Sequence, residues 1–330
     1  MSDFMTSRRS RIAVIGGGMC GLACAHRLCA EGLAPTIFEK SRGLGGRLAT
    51  RRLEDGITFD HGAQYLTARG VAFQEMLHQS MNAETAGHWA PNQYGRKSHA
   101  AENWIVGTPG MNAIVKPLAK GIDVQFATEV SAIDRDADGW RVQTPPDPGG
   151  VLFDFIVLTA PAPQARALMA FNPEIVEDLD RVSIAPCWAL LVSFETPSNL
   201  PFDVLRPEDG SLAWIARNSS KPGREARKEC WIAHASPSWS AAHLELDRDT
   251  VTKKLVGLFS ESFGGGLPEI HYAAAHRWRY ALTTEPLGRP FVSSDDQTAY
   301  IGGDWCLGAR VENAYESGRA IAAALIANIK

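Results

Sequence analysis

The chain has 330 residues, 45% hydrophobic, 21% charged and 8% aromatic, with 33 basic and 37 acidic side chains and a net charge of −4. A chain this apolar is not disordered, its even charge speaks against a nucleic-acid binder, and no run of about 18 apolar residues is present to span a membrane. At about 100–200 residues per domain, the length predicts two domains.

Arg8, Arg9 and Arg11 precede an apolar run that is broken by Gly16, Gly17, Gly18 and Gly21, then by His26 and Arg27. Residues 1–9 therefore read as a short disordered leader rather than a cleaved signal. The six cysteines, Cys20, Cys24, Cys29, Cys187, Cys230 and Cys306, include no CxxC pair and no Cys/His cluster at metal-ligand spacing. This usage predicts a reduced, cytoplasmic protein with no metal site. Arginine outnumbers lysine 24 to 9, which suits phosphate-bearing partners and equally a codon bias.

Residues 11–15 form a short β-branched apolar run, read as a buried parallel strand. Gly16, Gly18 and Gly21 then match G-x-G-x-x-G, a helix follows from about Met19 to Glu31, and Gly32 ends it. Residues 36–38 are a second strand, closed by Glu39. Gly16 allows the tight turn, Gly18 lets the backbone approach a pyrophosphate, and Gly21 lets helix and strand pack closely. The helix start, at Met19 and Cys20, presents free amides to the phosphates. Glu39 is placed to accept ribose hydroxyls. The unit predicts an ADP-binding βαβ, leaves FAD and NAD open, and argues against NADP in this slot.

Lys40-Ser41-Arg42-Gly43-Leu44-Gly45-Gly46-Arg47 follows directly, where a nicotinamide dehydrogenase would continue with further αβ units. Its glycines and Arg47 are placed to bring backbone amides and a guanidinium to the same pyrophosphate. Residues 58–65, Thr-Phe-Asp-His-Gly-Ala-Gln-Tyr, read as a strand entering a glycine turn.

The 71–103 stretch is rich in His, Asn and Gln and is read as part of a substrate cover. Further strands are predicted at 124–130, 132–135 paired with 140–144, and 155–158, with 145–150 as a surface loop. Strands at 188–195, 212–217, 230–235 and 271–279, with helices near 164–170, 241–244 and 250–263, complete the middle of the chain. Weak alternation over 189–194 predicts a sheet covered on at least one face. Near the end, Ile301-Gly302-Gly303-Asp304-Trp305 reads as a strand ending in a glycine turn, and a helix runs to Ile329.

The glycine turn with Glu39, Gly45-Gly46-Arg47, residues 60–64, and the two C-terminal segments 301–305 and 311–318 together resemble the flavin-containing amine oxidoreductase superfamily. Within it, the runs 104–111, 188–197, 214–222, 231–235, 276–281 and 303–307 resemble the renalases, their bacterial members in particular. The resemblance covers the chain from about Arg11 to Leu325.

The resemblance implies an α/β (α+β) two-domain fold: a Rossmann-like FAD-binding domain of the GR2 type with an inserted mixed-sheet substrate domain. The FAD domain is expected over residues 10–70, 104–166 and 290–330, and the substrate domain over 71–103 and 167–289. Non-covalent FAD is expected to meet Gly16, Gly18, Met19, Cys20, Gly21, Glu39, Lys40, Gly46, Arg47, His61, Gly62, Ala63, Val130, Gly303, Asp304, Arg310 and Val311. Substrate is expected at Gln64, Tyr65, Trp104, Pro109, Cys187, Trp188, His276, Trp278 and Trp305, whose rings suit a flat nicotinamide. Each lone tryptophan or histidine is also an ordinary core residue by type.

The implied activity is oxidation of isomeric dihydronicotinamide dinucleotides, of the 2-dihydro-NAD(P) type. Hydride passes to flavin N5, NAD(P)+ is released, and O2 is reduced to H2O2. A flavin amine oxidase, a protoporphyrinogen-type oxidase and a non-catalytic flavoprotein are the rival readings. Many amine oxidases hold a lysine near the flavin from a late strand, but between Lys254 and Lys330 this chain has none. A dihydropyridine expels hydride with its own nitrogen lone pair, so no catalytic side chain is expected. The expected partners are the dinucleotide and O2, with no nucleic acid, membrane or obligate protein partner.

Overall fold

The computed structural model describes residues 10–95, 104–207, 210–224 and 228–330. The leader expected over 1–9 and the 96–103 part of the proposed substrate cover lie outside the described residues. The chain divides into two compact units, one from Met1–Gly46, Leu118–Val182 and Glu285–Lys330, the other from Arg47–Pro117 and Ser183–Thr284. These bounds differ from the domain limits expected from sequence. Residues 47–70 and 104–117 belong to the second unit, because the strand Thr58–Asp60 and its neighbour Ile57 bury their apolar side chains against that unit's sheet. Residues 167–182 and 285–289 belong to the first, where the helix Pro173–Asp180 pairs Asp180 with Arg166 and Asp178 with Arg289.

In the first unit the strands run in the order Val292–Ser293, Ala299–Ile301, Phe155–Leu158, Ile12–Ile15, Pro35–Glu39 and Asp123–Phe126. All neighbours are parallel except the first pair. Ile12–Ile15 is buried throughout, as a continuous apolar run in a doubly covered sheet must be. The register sets Ile15 beside Phe38 and Leu158, and Leu158 beside Ile301. The residues that follow these strands, Gly16, Glu39, Thr159 and Gly302, therefore share the carboxyl edge of the sheet, where open α/β sheets bind ligands.

The helix Met19–Ala30 leaves this edge, and the last helix, Val311–Ile329, packs across it. A Cβ at Gly318 would lie 2.1 Å from the Cys20 carbonyl oxygen, so only glycine permits that crossing. Cys20 and Cys24, one turn apart, are buried in the same contact. A three-stranded antiparallel sheet, Asp147–Phe153, Gly139–Thr144 and Ala132–Asp136, completes this unit's strands among the described residues.

Two local expectations are corrected here. The strand predicted over 124–130 stops at Phe126, because Ala127 turns to φ +51° and the amides of Ala127 and Thr128 donate to Ser41 and Glu39 carbonyls instead. The surface loop predicted over 145–150 is largely strand. Residues from Asp147 onward pair with Gly139–Thr144, and a register shift between Val142 and Thr144 absorbs the turn.

The second unit is built on a six-stranded sheet in the order Ile270–Glu285, Ser183–Phe194, Cys230–Ala235, Leu212–Arg217, Val204–Arg206 and Gln93–Gly95. The strand Ser183–Phe194 is covered on both faces. Trp188, Leu190, Val192 and Phe194 meet Val251, Leu255 and Phe259 of the helix Arg248–Glu261, while Ala189 and Leu191 meet Ile57 and Phe59. This double cover explains the missing alternation. Two short antiparallel pairs, Thr50–Arg52 with Thr58–Asp60 and Ala86–Trp89 with Trp104–Gly107, flank the sheet.

Candidate active site

In the first unit the glycine turn is tied down by backbone and by one carboxylate. Gly16 has φ +112°, a conformation glycine adopts without strain. A Cβ at Gly21 would sit 2.0 Å from the Gly16 carbonyl oxygen, so the helix start can close on the strand only with hydrogen there. At Gly18 the situation is opposite: an added Cβ meets nothing within 4 Å. The flank of Gly18 is open, and it is the position at which a pyrophosphate approaches such a turn. Met19 and Cys20 begin the helix beside it, and their side chains are buried.

Glu39 is buried at the end of its strand and accepts the Gly17 amide through Oε2 and the Ser41 amide through Oε1, both at 2.7 Å. Gly45 donates to the Gly17 carbonyl at 2.9 Å and bridges to Gly18, so the Gly45-Gly46 element lies against the first turn as its position in the sequence suggested. Gly46 and Lys40 are exposed. Val130 is reached through Thr128, whose amide donates to the Glu39 carbonyl. This edge can receive an ADP group: helix-start amides for phosphate, an open Gly18, and a carboxylate for the ribose.

At the neighbouring strand end, Gly303 donates to Ser317 Oγ at 3.0 Å, and Ser317 in turn donates to the Pro290 carbonyl at 2.7 Å. Asp304 is buried, its carbonyl accepting the Gly308 amide at 2.7 Å. Arg310 caps the last helix just before Val311 and pairs with Glu312 at 2.8 Å. Trp305, expected at the substrate, is wholly buried in this unit, with its indole N–H on the Ala160 carbonyl at 3.1 Å. It fastens the Gly303–Asp304 turn to the adjacent strand end and presents no surface to a ligand.

In the second unit the segment 60–65 is held by a buried charge cluster. Asp60 Oδ1 accepts Thr50 Oγ1 at 2.7 Å and the Met111 amide at 2.9 Å. Its Oδ2 accepts Arg224 Nη2 at 2.5 Å and Lys221 Nζ at 3.4 Å. Burial opposes a charge on Asp60, but Lys221 and Arg224 outweigh it and hold the carboxyl below its usual range. Lys221, also fully buried, is shifted down by desolvation that Asp60 only partly offsets. Gln64 accepts from Lys221 at 3.2 Å and donates to the Asp60 carbonyl at 2.5 Å and the Gly62 carbonyl at 3.0 Å. Both ends of its amide are thus engaged within the unit.

Ala63 donates to the Arg47 carbonyl at 2.9 Å, and a Cβ at Gly62 would lie 2.0 Å from that same oxygen. Arg47 and residues 61–63 are therefore one tight element, with the Arg47 guanidinium on the Ala281 carbonyl at 3.2 Å. The His61 carbonyl accepts both Trp278 Nε1 at 2.9 Å and His234 Nε2 at 3.2 Å. The rings of His61, His276 and Trp278 pack together with centroids 4.5–5.2 Å apart. Burial pushes His61 down, His234 to about 4 and His276 to about 3, so all three are neutral near pH 7.

Tyr65 lies parallel to Trp104 with centroids 4.0 Å apart, and Trp89 and Trp214 pack on Trp104. Pro109 is exposed after a cis peptide bond. Cys187 and Trp188 cannot line one site together, because successive strand residues point to opposite faces. Trp188 is the member lost: it sits in the core against the Arg248–Glu261 helix, its indole on the His243 carbonyl at 3.1 Å. Cys187 is half-buried, and burial pushes its thiol up to about 12. Lys221, Arg224, Arg206 and Trp214 escaped the sequence reading. The one available signal was a lysine in the 214–222 run of a chain with only nine.

The family model of the flavin containing amine oxidoreductases matches residues 71–326, and that of the NAD(P)-binding Rossmann-like domain matches residues 14–80. The chain belongs to the flavin containing amine oxidoreductase family, and membership implies a flavin cofactor, FAD. A 4,4'-diapophytoene desaturase of Staphylococcus haemolyticus is 53% identical over 51 residues, 16% of this chain and 10% of the desaturase. A Staphylococcus aureus desaturase of the same description is 50% identical over 52 residues, with the same shares. The chain thus matches about a tenth of the length of these relatives.

Among solved structures, a protoporphyrinogen oxidase-like protein of Exiguobacterium sp. 255-15 superposes with TM-score 0.77 at 13% identity, over 96% of this chain and 99% of that one. A wild-type putrescine oxidase bound to putrescine gives TM-score 0.70 at 13% identity over the same shares. An oxidoreductase of Methanosarcina mazei gives 0.70 at 12% identity, over 94% and 99%. At these identities the likeness is one of fold. No helix among the described residues is long and apolar enough to cross a membrane.

Proposed function

We propose that the protein is an FAD-dependent oxidase of isomeric dihydronicotinamide dinucleotides, as the renalase resemblance implies. One observation carries the choice over a cationic amine substrate. The buried cluster behind segment 60–65 sets two cations, Lys221 and Arg224, against one carboxylate, Asp60. Arg206 adds a third positive charge beside Tyr65, at 3.2 Å from its hydroxyl, with no carboxylate pairing it among the described residues. The net positive charge of these groups disfavours a protonated amine bound nearby and favours a phosphate-bearing dinucleotide.

The neutral histidines also suit this substrate. Loss of hydride from a dihydropyridine is driven by its ring nitrogen and needs no charged base. His61, His276 and Trp278 form an uncharged cluster of packed rings. Bound FAD supplies the two-electron acceptor and the route by which O2 becomes H2O2. Its ADP half would be held non-covalently by Gly16, Gly18, Gly21, the Met19 and Cys20 amides and Glu39. The protein's part is to orient the reacting carbon and exclude water, so no side chain is assigned a catalytic role.

The test is anaerobic mixing of the flavin-loaded protein with borohydride-reduced NAD+ isomers, and separately with putrescine and simple alkylamines. Bleaching of the flavin by an isomer, with NAD+ recovered, is the expected result. Bleaching by amines alone overturns the reading.

A further inference from the structure

We propose that Arg206 and Trp214 form an anion-recognition site, beside Tyr65 and Trp104, for a phosphate carried by a ring-bearing substrate. The proposal deepens the dinucleotide reading above and rests on it for the identity of the substrate, though not for the presence of the site.

The two side chains are brought together by strand register. Val204 pairs with Ala216 and Leu205 with Ile215, so the antiparallel ladder sets Arg206 opposite Trp214. The Arg206 guanidinium carbon lies 4.8 Å from the Trp214 ring centre and 5.5 Å from that of Trp104. Its Nη2 donates to Tyr65 Oη at 3.2 Å. The stacking directs the fork and fixes its plane, but aromatic faces offer its N–H groups no acceptor in that plane.

Two donors in this cluster are left without acceptors. Arg206 Nε and Trp214 Nε1 are both buried and both lack a hydrogen-bond partner among the described residues. Buried indole and guanidinium N–H groups nearly always find one, and leaving them unmade is costly. Most other arginines with described contacts behave ordinarily: Arg166 meets Asp180, Arg224 meets Asp60, and Arg279 meets Glu245. A half-buried arginine with no carboxylate partner among the described residues, next to a second unpaired donor, is short of an anionic acceptor. Both N–H groups are shielded from water, where a charge-assisted hydrogen bond is stronger than at an exposed position.

A phosphate fits better than a carboxylate. The guanidinium fork takes two of its oxygens, and a third remains for the indole N–H. Tyr65, Trp104 and Trp214 pack on one another beside it, so the ring attached to the phosphate would meet the edge of an aromatic cluster.

Two measurements on the flavin-loaded protein test this. The first is inorganic pyrophosphate binding, read by tryptophan fluorescence at constant ionic strength, in wild type, Arg206→Gln, Arg206→Lys and Trp214→Phe. Arg206→Gln is expected to weaken binding roughly tenfold to a hundredfold, as loss of a charged hydrogen bond does. Trp214→Phe keeps an aromatic face but loses the N–H donor with the five-membered ring, with an expected loss of roughly threefold to tenfold. Arg206→Lys is expected to recover part of the affinity.

The second compares the KM of a dihydro-NAD isomer with that of the matching dihydronicotinamide riboside, which has the ring and no phosphate. Arg206→Gln is expected to raise the dinucleotide KM roughly tenfold or more, and the riboside KM by far less. Equal effects on both compounds, or pyrophosphate binding that Arg206→Gln leaves intact, overturn the site. Pyrophosphate binding that depends on Arg206, in a protein that oxidises neither compound, keeps the site and overturns the dihydronicotinamide reading instead.

Discussion

Glu39 reaches across the glycine turn and accepts the Gly17 amide at 2.7 Å, while its other oxygen takes the Ser41 amide at the same distance. One buried carboxylate thus locks the second strand to the turn that ends the first. Glu39→Gln keeps the shape but turns an amide N–H2 toward one of these donors. It is expected to cost about 1–3 kcal/mol, read as a lower Tm of the flavin-free protein, and to reduce flavin retained on gel filtration.

Gly18 and Gly21 should separate folding from cofactor binding. A methyl group at Gly18 meets nothing within 4 Å, whereas at Gly21 it would sit 2.0 Å from the Gly16 carbonyl oxygen. Gly18→Ala is expected to melt like wild type but purify with little flavin. Gly21→Ala is expected to lose about 1–3 kcal/mol of stability through overpacking. Flavin absorbance and thermal melts on the two variants check both halves, and a fully yellow Gly18→Ala protein contradicts the assignment of this turn.

The Asp60 cluster predicts an asymmetry between its partners. Asp60→Asn leaves Lys221 and Arg224 buried without their counter-charge, a loss of about 3–5 kcal/mol. Lys221→Met removes a cation that is itself costly to bury and leaves the Arg224 pair intact, so its loss is expected to be the smaller. Urea unfolding of the three proteins gives the order directly. Equal losses would mean that the cluster's net positive charge is not a source of strain.

Trp188 is expected to act on stability alone. It packs in the core against the Arg248–Glu261 helix, on the strand face opposite Cys187, Ala189 and Leu191. Trp188→Ala should lose about 3–5 kcal/mol, and Trp188→Phe less, with KM for any oxidised substrate unchanged. A shift of KM in Trp188→Phe without a change in Tm would return this residue to the site.

His271 carries a pH-dependent tie. It bonds Asp55 at 3.0 Å and Glu195 at 2.8 Å, and these carboxylates raise its pKa above 6.5. A group raised on folding stabilises fully below its unfolded pKa and ceases to as pH rises through the folded one. The Tm of wild type should therefore exceed that of His271→Gln at about pH 6 and converge with it by about pH 9. A difference that grows with pH would reverse the assigned sign.

The sequence by itself determined what neighbours along the chain decide. The strand Ile12–Ile15, the turn through Gly21, the helix to Ala30 and the strand ending at Glu39 stand as expected, because their signals of apolar run, glycine spacing and terminal acid are local. So do the strands Leu212–Arg217 and Cys230–Ala235. Even residues 47–70 were recognised by motif, although the unit they join depends on where Phe59 finds apolar partners.

Only the tertiary structure decided which recognised residues are committed to a core. Trp305 and Trp188 look alike in composition to Trp104, yet the first two are spent on carbonyls inside their cores, while Trp104 stacks on Tyr65. Whether a strand residue faces site or core follows from a parity that one register shift reverses. Asp60 meets Lys221 and Arg224 across 161 and 164 residues, and Arg206 meets Tyr65 across 141. Charge at those distances along the chain leaves no local pattern. It becomes a site only when the sheet brings the side chains together in a place that water does not reach.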